Sequence, residues 1–293
     1  MTTFIDRMPP KRFRFAIPAP LRSPLGAIGA AIIGLWIVAA VVAPWIAPTD
    51  PLAQSFERLQ EPDAVNLLGT DTVGRDVLSR VIYGARISMP LAFLVVLCSM
   101  VIGTVAGAIA GYFGKAVDEV IMRVADLVFA FPTIILALVV AAALGPSLTN
   151  AFIAMLVVSW PAYARVARSL VIVARQNDYV VAGRLLGTGA FTSLRRDVLP
   201  NVISPILVLG TLNVGTAILE LSGLSFLGLG AIPPAADWGA MVSDGVRQFS
   251  SWWIALFPGL AILSIVVAFN LVGDALRDSL DPRTANAVKI GRR

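Results

Sequence analysis

The stretch from Ile87 to Tyr112 reads I-S-M-P-L-A-F-L-V-V-L-C-S-M-V-I-G-T-V-A-G-A-I-A-G-Y and carries no charged side chain over 26 residues. At a rise of 1.5 Å per residue, about 20 apolar residues are enough for a helix to cross roughly 30 Å of hydrocarbon. Only helices and closed barrels satisfy backbone hydrogen bonds in lipid, and barrel strands alternate polar and apolar residues, which this stretch does not. It therefore predicts a transmembrane helix.

Similar apolar runs recur along the 293-residue chain, which is 57% hydrophobic and 14% charged. That is more apolar surface than one soluble core could bury. A basic N-terminus before the first run would also fit a cleavable signal peptide. However, that run is longer than a usual h-region and lacks a clear cleavage site, so we expect an uncleaved span. We predict an all-α membrane protein with six transmembrane helices, the other five being Leu25–Ala47, Glu119–Leu144, Ala151–Val173, Val202–Leu224 and Trp253–Leu271.

The distribution of basic residues predicts the orientation. Six spans place both termini on one side, and 18 of the 23 Lys and Arg residues fall on that side. By the positive-inside rule, both termini are expected to be cytoplasmic. These residues flank spans rather than form a basic soluble fold, so we expect no nucleic-acid partner. The predicted organisation is a cytoplasmic segment 1–24, a first span 25–47, an extracytoplasmic loop with an amphipathic helix 48–86, a five-helix core 87–275 that includes a cytoplasmic loop 174–200, and a cytoplasmic tail 276–293.

Residues suited to catalysis or metal binding are scarce. The chain has no histidine, and its single cysteine, Cys98, lies inside the second run, where a small buried apolar role is expected. The nearest match to a phosphate-binding G-x-x-x-x-G-K-[ST] loop is Gly114-Lys115, but Ile109 and Ala116 replace the first glycine and the hydroxyl residue. We therefore expect no catalytic residue, no metal site and no cofactor bound by this chain.

Two carboxylates, Asp126 and Glu220, lie inside apolar runs. An ionisable group at membrane depth is a candidate for proton-coupled transport. A structural role, bonded to a neighbouring helix or facing a wet cavity, is the other interpretation.

Small residues and prolines predict how the spans pack. Gly103, Gly107 and Gly111 form a stripe with a spacing of four, which allows close helix contact either within the chain or between subunits. Proline removes a backbone hydrogen bond and can kink a helix. Kinked helices suit either a translocation cavity or plain packing, and such prolines occur at Pro132, Pro161, Pro205 and Pro258.

A polar, Gly-punctuated segment separates the fourth and fifth runs. Asp178 is a good N-cap and Gly187 a good C′ residue, which predicts a short helix from Asp178 to Leu186. A second short helix, capped by Thr192 or Ser193, would end before Pro200. The first helix would present Val180, Val181 and Leu185 beside Arg184. It is too short to be stable alone, so we expect it to dock on a partner or on the chain's own spans.

Two segments are predicted on the outer side. Within Leu68–Arg80, Asp71 or Thr72 could cap an amphipathic helix, and Arg75 could pair with Asp71 or Asp76. This helix would either lie on the outer face or contact a substrate-delivering protein. The Gly- and Pro-rich segment Leu224–Trp252 predicts an interfacial loop or an outer gate, with Phe226, Gly228, Gly230 and Trp238 as candidate residues.

The segment 174–200 resembles the cytoplasmic signature of ABC importer permeases, the E-A-A-x-x-x-G loop whose short helix inserts into a groove on the ATPase subunit. Val181 stands at the Glu position, Gly183 at the second Ala, and Asp197 where many relatives carry His. Because Val181 lacks the carboxylate of that Glu, docking is expected to depend on shape complementarity and apolar contact. The resemblance implies a set of coupling residues: Asp178, Tyr179, Val181, Ala182, Gly183, Arg184, Gly187, Leu199 and Pro200.

Five regions in order extend this resemblance over nearly the whole chain, to the C-type permeases of dipeptide, oligopeptide and nickel importers. The regions are Asn66–Ser88, Gly111–Gly114, the pair Phe131 and Pro132, Leu224–Gly230 followed by Pro233, Pro234, Trp238 and Gly239, and Phe257–Ile262 with Phe269–Arg283.

The resemblance implies a type I ABC importer permease in a bacterial inner membrane. Its implied partners are a homologous second permease, two ATPase subunits that bind ATP and Mg²⁺, an extracytoplasmic binding protein and membrane lipid. Peptide is the expected substrate, because a chain without histidine is poorly suited to binding bare metal. Nickel chelates and glutathione are the alternative substrates. The alternative functions are a secondary transporter coupled through Asp126 or Glu220 and a membrane scaffold.

Overall fold

The computed structural model describes residues 23–280, and every regular element within that range is a helix. Five of the helical stretches are long and apolar enough to cross a bilayer, and α3 with α4 makes a sixth if the bent pair counts as one span. The predicted all-α fold is therefore confirmed. The predicted termini outside 23–280 lie beyond the described residues. The helices are α1 (Pro24–Ile46), α2 (Val77–Phe113), α3 (Lys115–Phe129), α4 (Thr133–Leu144), α5 (Leu148–Ala174), α6 (Asp178–Leu185), α7 (Ala190–Ser193), α8 (Leu199–Phe226), α9 (Trp238–Val246) and α10 (Trp253–Leu280).

The third predicted span is broken. Residues 130–132 separate α3 from α4, and the two helices meet at 89°. Pro132 lies in this break, where it has no N–H to continue the helical ladder. Pro161, Pro205 and Pro258 lie inside continuous helices, so among the four predicted prolines only Pro132 divides its span.

The second span begins earlier than predicted. The carboxylate of Asp76 caps α2 by accepting the N–H of Ser79 at 2.7 Å, so the helix starts at Val77 and continues into the membrane. The prediction of a separate amphipathic helix capped by Asp71 or Thr72 is therefore wrong. Asp71 instead closes a turn by accepting the N–H groups of Val73 and Arg75 at 2.9 and 3.0 Å.

The fifth span is also longer than predicted. One turn of π-helix, Leu194–Val198, joins α7 to α8, so residues 190–226 form one helical stretch. Neither Thr192 nor Ser193 makes a side-chain cap, and the helical stretch continues through Pro200, which lies in the first turn of α8 directly after the π-helical turn.

The molecule has two ends, which we call the α6 face and the α9 face after the short helix at each end. The α6 face comprises residues 111–118 and 175–201, and the α9 face comprises residues 49–76 and 227–252. Helix α2 runs from the α9 face to the α6 face, and α1 packs antiparallel on α10, with Trp36 Nε1 donating to Ser264 Oγ at 2.9 Å. Consequently α1 starts, and α10 ends, toward the α6 face.

The glycine stripe of α2 packs against α5. A Cβ added at Gly103 would overlap the carbonyl oxygen of Trp160, and one at Gly107 would overlap the backbone of Ala164. At Gly111 the added atom would lie 2.7 Å from the carbonyl oxygen of Arg168. The stripe therefore forms a packing seam within the chain, which removes it as a candidate subunit interface.

We expect Gly107→Ala to destabilise the protein, because the new methyl group has no space between α2 and α5. Overpacking of this kind costs typically about 1–3 kcal/mol. Gly34→Ala is the matched control, since nothing lies within 4 Å of a Cβ at that position. Thermal unfolding in detergent should show a lower Tm for Gly107→Ala alone. Equal Tm values for the two variants would contradict this account of the seam.

Candidate coupling surface and transmembrane cavity

Helix α6 is fixed at both ends by backbone and side-chain contacts. Gly187 adopts φ +91° and closes the helix as the predicted C′ residue, with its N–H bonded to the carbonyl of Arg184 at 3.0 Å. Arg175, just before the helix, donates to the carbonyls of Gly111 and Tyr112 at 2.8 and 3.0 Å. The predicted cap Asp178 is instead the first helical residue, and no side chain caps the N-terminus. The end of α2 therefore holds the start of α6.

A hydrogen-bonded cluster connects α6 to α8. The hydroxyl of Tyr179 donates to the carbonyl of Asp197 at 3.2 Å, and Asn201 Nδ2 donates to the Tyr179 hydroxyl at 2.9 Å. Asn201 Nδ2 also donates to the Asp197 carbonyl at 2.8 Å. Asn201 belongs to the first turn of α8, beside Leu199 and Pro200, so these hydrogen bonds link α6 directly to α8.

The outer side of α6 presents large apolar side chains. Leu185 is 84% exposed, Leu186 88%, and Phe191, just beyond the helix, 72%. Val181 is partly exposed, as predicted, but Val180 is fully buried and fastens the helix to the protein instead. Leu186 and Phe191 were not predicted from the sequence, although three large apolar residues within seven positions of a polar loop were the available signal.

Basic residues border this apolar group. Arg195 and Arg196 line a shallow depression together with Phe191, Thr192 and Pro200. Arg184 lies over the ring of Tyr112, with its guanidinium carbon 5.8 Å from the ring centroid. We call Val181, Leu185, Leu186, Phe191, Arg195 and Arg196 the coupling surface; it combines an apolar centre with a basic rim, as protein-binding sites do.

At the opposite end, a buried ion cluster fastens the 49–76 loop. Arg75 Nε donates to Asp71 Oδ2 at 2.6 Å, which confirms the predicted pair, and Arg80 Nε lies 3.5 Å from the same oxygen. Arg80 also donates to the carbonyls of Pro51, Pro234 and Ala235, joining this loop to the segment before α9. On α9, burial raises the pKa of the Asp244 carboxyl, although Arg80 and Arg75 oppose that shift.

Most residues predicted as an outer gate or contact surface lie inside the protein. Asp71, Arg75, Asp76 and Trp238 are buried, and Trp238 Nε1 donates to the carbonyl of Val81 at 2.9 Å. This placement favours a structural role for the four over contact with another protein.

Two other predicted gate residues, Phe226 and Gly228, are exposed, whereas Gly230 is buried against Ser225. Phe249, which the sequence analysis did not select, is 90% exposed on the α9 face.

A cavity of about 130 Å³ lies between α2, α4, α5 and α8. It has room for several water molecules. The hydroxyl of Tyr163 accepts a hydrogen bond from Asn213 Nδ2 at 2.9 Å across this space. The polar side chains that line the cavity are those of Thr133, Ser159, Tyr163, Asn213, Thr216 and Glu220.

Two ion pairs join α3 to α5 between this cavity and the α6 face. Asp118 bonds Arg168, with 2.6 Å between Oδ2 and Nη2, and Asp126 bonds Arg165 at 2.5 Å. Arg165 also lies 4.0 Å from the ring centroid of Phe129, which lines the cavity. Asp126 stays 63% exposed despite its partner. Exposed charges on a spanning element indicate a face turned to water or to another subunit, because lipid would not solvate them.

Comparison with known proteins identifies the family of the chain. Residues 103–286 match the family described as the binding-protein-dependent transport system inner membrane component, and residues 21–62 match the N-terminal transmembrane domain of oligopeptide transport permease C. The chain belongs to the binding-protein-dependent permease family. The matched region of this permease family contains the coupling surface and all of the cavity lining except Val95 and Val96. Helix α1 and part of the 49–76 loop fall in the N-terminal match.

Several characterised permeases are similar to the chain over most of their length. The dipeptide transport system permease protein DppC of Escherichia coli K12 is 46% identical over 265 residues, 87% of this chain and 88% of that protein. The Haemophilus influenzae protein of the same name is 41% identical over 290 residues, covering 96% and 97%. The di/tripeptide transport system permease protein DppC of Pseudomonas aeruginosa is 42% identical over 271 residues, covering 89% of each.

Proposed function

We propose that this chain is a transmembrane permease subunit of an ATP-driven peptide importer and forms half of the translocation pathway. The similar permeases are described as transporting dipeptides or di- and tripeptides, and they align along nearly the whole chain. The other half of the pathway would come from a homologous second permease. The charged, exposed face of α3 and α5 would then turn toward that partner and the water between the two subunits.

The coupling surface would dock on the ATPase subunits. The exposed apolar side chains at its centre are the main support for the proposal. Leu185, Leu186 and Phe191 are the most exposed large apolar side chains at the α6 face, and α6, which ends at Leu185, is too short to be stable in isolation. The α6 face would be cytoplasmic and the α9 face would receive a substrate-loaded binding protein. In this arrangement the chain itself performs no catalysis; ATP and Mg²⁺ would bind to the separate ATPase subunits.

Transport would proceed by alternating access. Closure of the ATPase pair on ATP would move α6, and the Tyr179, Asp197 and Asn201 cluster would transmit the movement to α8. Helix α8 lines the cavity through Asn213 and Glu220, so its displacement changes the shape of the pathway. Arg175 would carry the same movement to the end of α2.

The test is purification of the tagged chain with its partners from mild detergent, followed by ATPase assays. We expect a second permease and ATPase subunits to co-purify, and a binding protein loaded with short peptides to stimulate hydrolysis several-fold. Glutathione and nickel chelates are assayed in parallel, to test whether the complex transports these compounds instead of peptides. A lone chain that transports without any ATPase, and loses transport in Asp126→Asn, would overturn the proposal in favour of a secondary transporter.

A further inference from the structure

Glu220 differs from the carboxylates of α3 in having no partner. Asp118, Glu119 and Asp126 each pair with an arginine. Within residues 23–280, Glu220 makes neither a hydrogen bond nor an ion pair, although it lines the cavity and is half-buried. An unpaired carboxylate inside a spanning helix is costly, so such groups are kept where they meet a ligand or an ion.

The position of Glu220 suits recognition of an entering substrate. It lies six residues before the end of α8, about 9 Å from the α9 face at 1.5 Å per residue. The paired carboxylate Asp126 lies beyond the cavity, toward the α6 face. A solute that enters from the α9 face therefore meets Glu220 before it meets the ion pairs of α3 and α5.

The surrounding groups match a cation. The same cavity is lined by the amide of Asn213 and the hydroxyls of Ser159 and Thr216, whose oxygens can accept hydrogen bonds from an ammonium group. No lysine or arginine is among the lining residues. An ammonium group that enters would therefore pair with Glu220 and would not have to displace a resident cation.

We propose that Glu220 is a charge-recognition residue that binds the ammonium group, or another cationic group, of a peptide in transit. This inference rests on the proposed import function. Every unmodified peptide carries an α-ammonium group, and Lys- and Arg-containing peptides carry a second cation. The carboxylate attracts these groups and repels an acidic side chain, so this subunit favours cationic over anionic peptides after the binding protein has released them.

The experiment measures peptide selectivity of the complete complex in proteoliposomes. Uptake of Lys-Ala, Ala-Ala and Ala-Asp is followed with one binding protein, so that any change of preference arises in the permease. Glu220→Gln should lower the ratio of Lys-Ala to Ala-Asp uptake roughly tenfold, the effect of about 1.4 kcal/mol. Glu220→Asp, which keeps the charge, should restore most of that ratio.

Asn213→Asp is a second, independent variant. It adds a carboxylate to the same cavity at nearly constant volume, so it should raise the ratio. The Asn213 amide now donates to the Tyr163 hydroxyl, and in the variant that hydroxyl can instead donate to the new carboxylate. Unchanged ratios in both Glu220→Gln and Asn213→Asp would overturn the inference. Loss of the second permease from the Glu220→Gln complex would also overturn it, by showing that Glu220 pairs across the subunit interface.

ATPase activity stimulated by the loaded binding protein, measured on the same preparations, separates this inference from the proposed function. Stimulation that persists while selectivity is unchanged rejects only the role of Glu220. Absence of stimulation in the unmodified complex rejects import itself.

Discussion

Replacing Leu185 and Leu186 together by aspartate should abolish association with the ATPase subunits. Both side chains are more than 80% exposed, so the substitutions remove docking contacts without opening the core. Central apolar anchors of an interface contribute about 2 kcal/mol or more each, so losing two should weaken binding roughly a thousandfold. Binding of purified ATPase subunits to the permease in nanodiscs measures this loss, and peptide uptake should fall with it.

Phe249→Asp is the control for that experiment. Phe249 is 90% exposed but lies on the α9 face, so its substitution should leave ATPase binding unchanged. Arg184→Glu combined with Val181→Asp tests the same helix, and we expect a smaller loss of association and uptake because Val181 is 44% exposed and offers less apolar area than the two leucines. Unaltered ATPase binding in the Leu185 and Leu186 double variant would show that the ATPases dock elsewhere.

Run length and composition were sufficient to predict the spans but not their continuity. Prolines occur inside all six predicted runs, yet within residues 23–280 only Pro132 separates two helices. Whether a proline breaks a span depends on whether neighbouring helices and side chains satisfy the freed carbonyl, and that is a property of the packed molecule. The start of α2 posed a similar ambiguity, because Asp71 and Asp76 are both good caps. In the structure the turn hydrogen bonds and the pairing with Arg75 and Arg80 assign Asp71 to the turn.

The sequence was also insufficient to predict which side of α6 is exposed. The C′ glycine and the short helix of α6 were predictable from local chemistry. Eight residues make only about two turns, too few for periodicity to decide which side is buried. Val180 was therefore predicted on the docking side, although it is fully buried, and Leu186 and Phe191 were overlooked.

Asp71→Ala should be among the most destabilising single substitutions outside the spans. The carboxylate lies 2.6 Å from Arg75 and 3.5 Å from Arg80, and all three side chains are buried. Removing it leaves two buried guanidinium groups without the carboxylate that pairs with both, and breaking a buried ion pair typically costs about 3–5 kcal/mol. We expect a markedly lower Tm in detergent and faster proteolysis within residues 49–76, which the cluster holds against the segment before α9.

Glu119→Ala is the matched control, because it also removes one carboxylate from an arginine pair. Glu119 and Arg123 are 61% and 75% exposed, and an exposed pair contributes at most about 1 kcal/mol. Asp71→Asn separates charge from hydrogen bonding, since the amide oxygen can still accept the N–H groups of Val73 and Arg75 while the negative charge is gone. If Asp71→Asn is as stable as the unmodified protein, the turn hydrogen bonds rather than the ion cluster hold the loop; if Asp71→Ala matches Glu119→Ala, neither does.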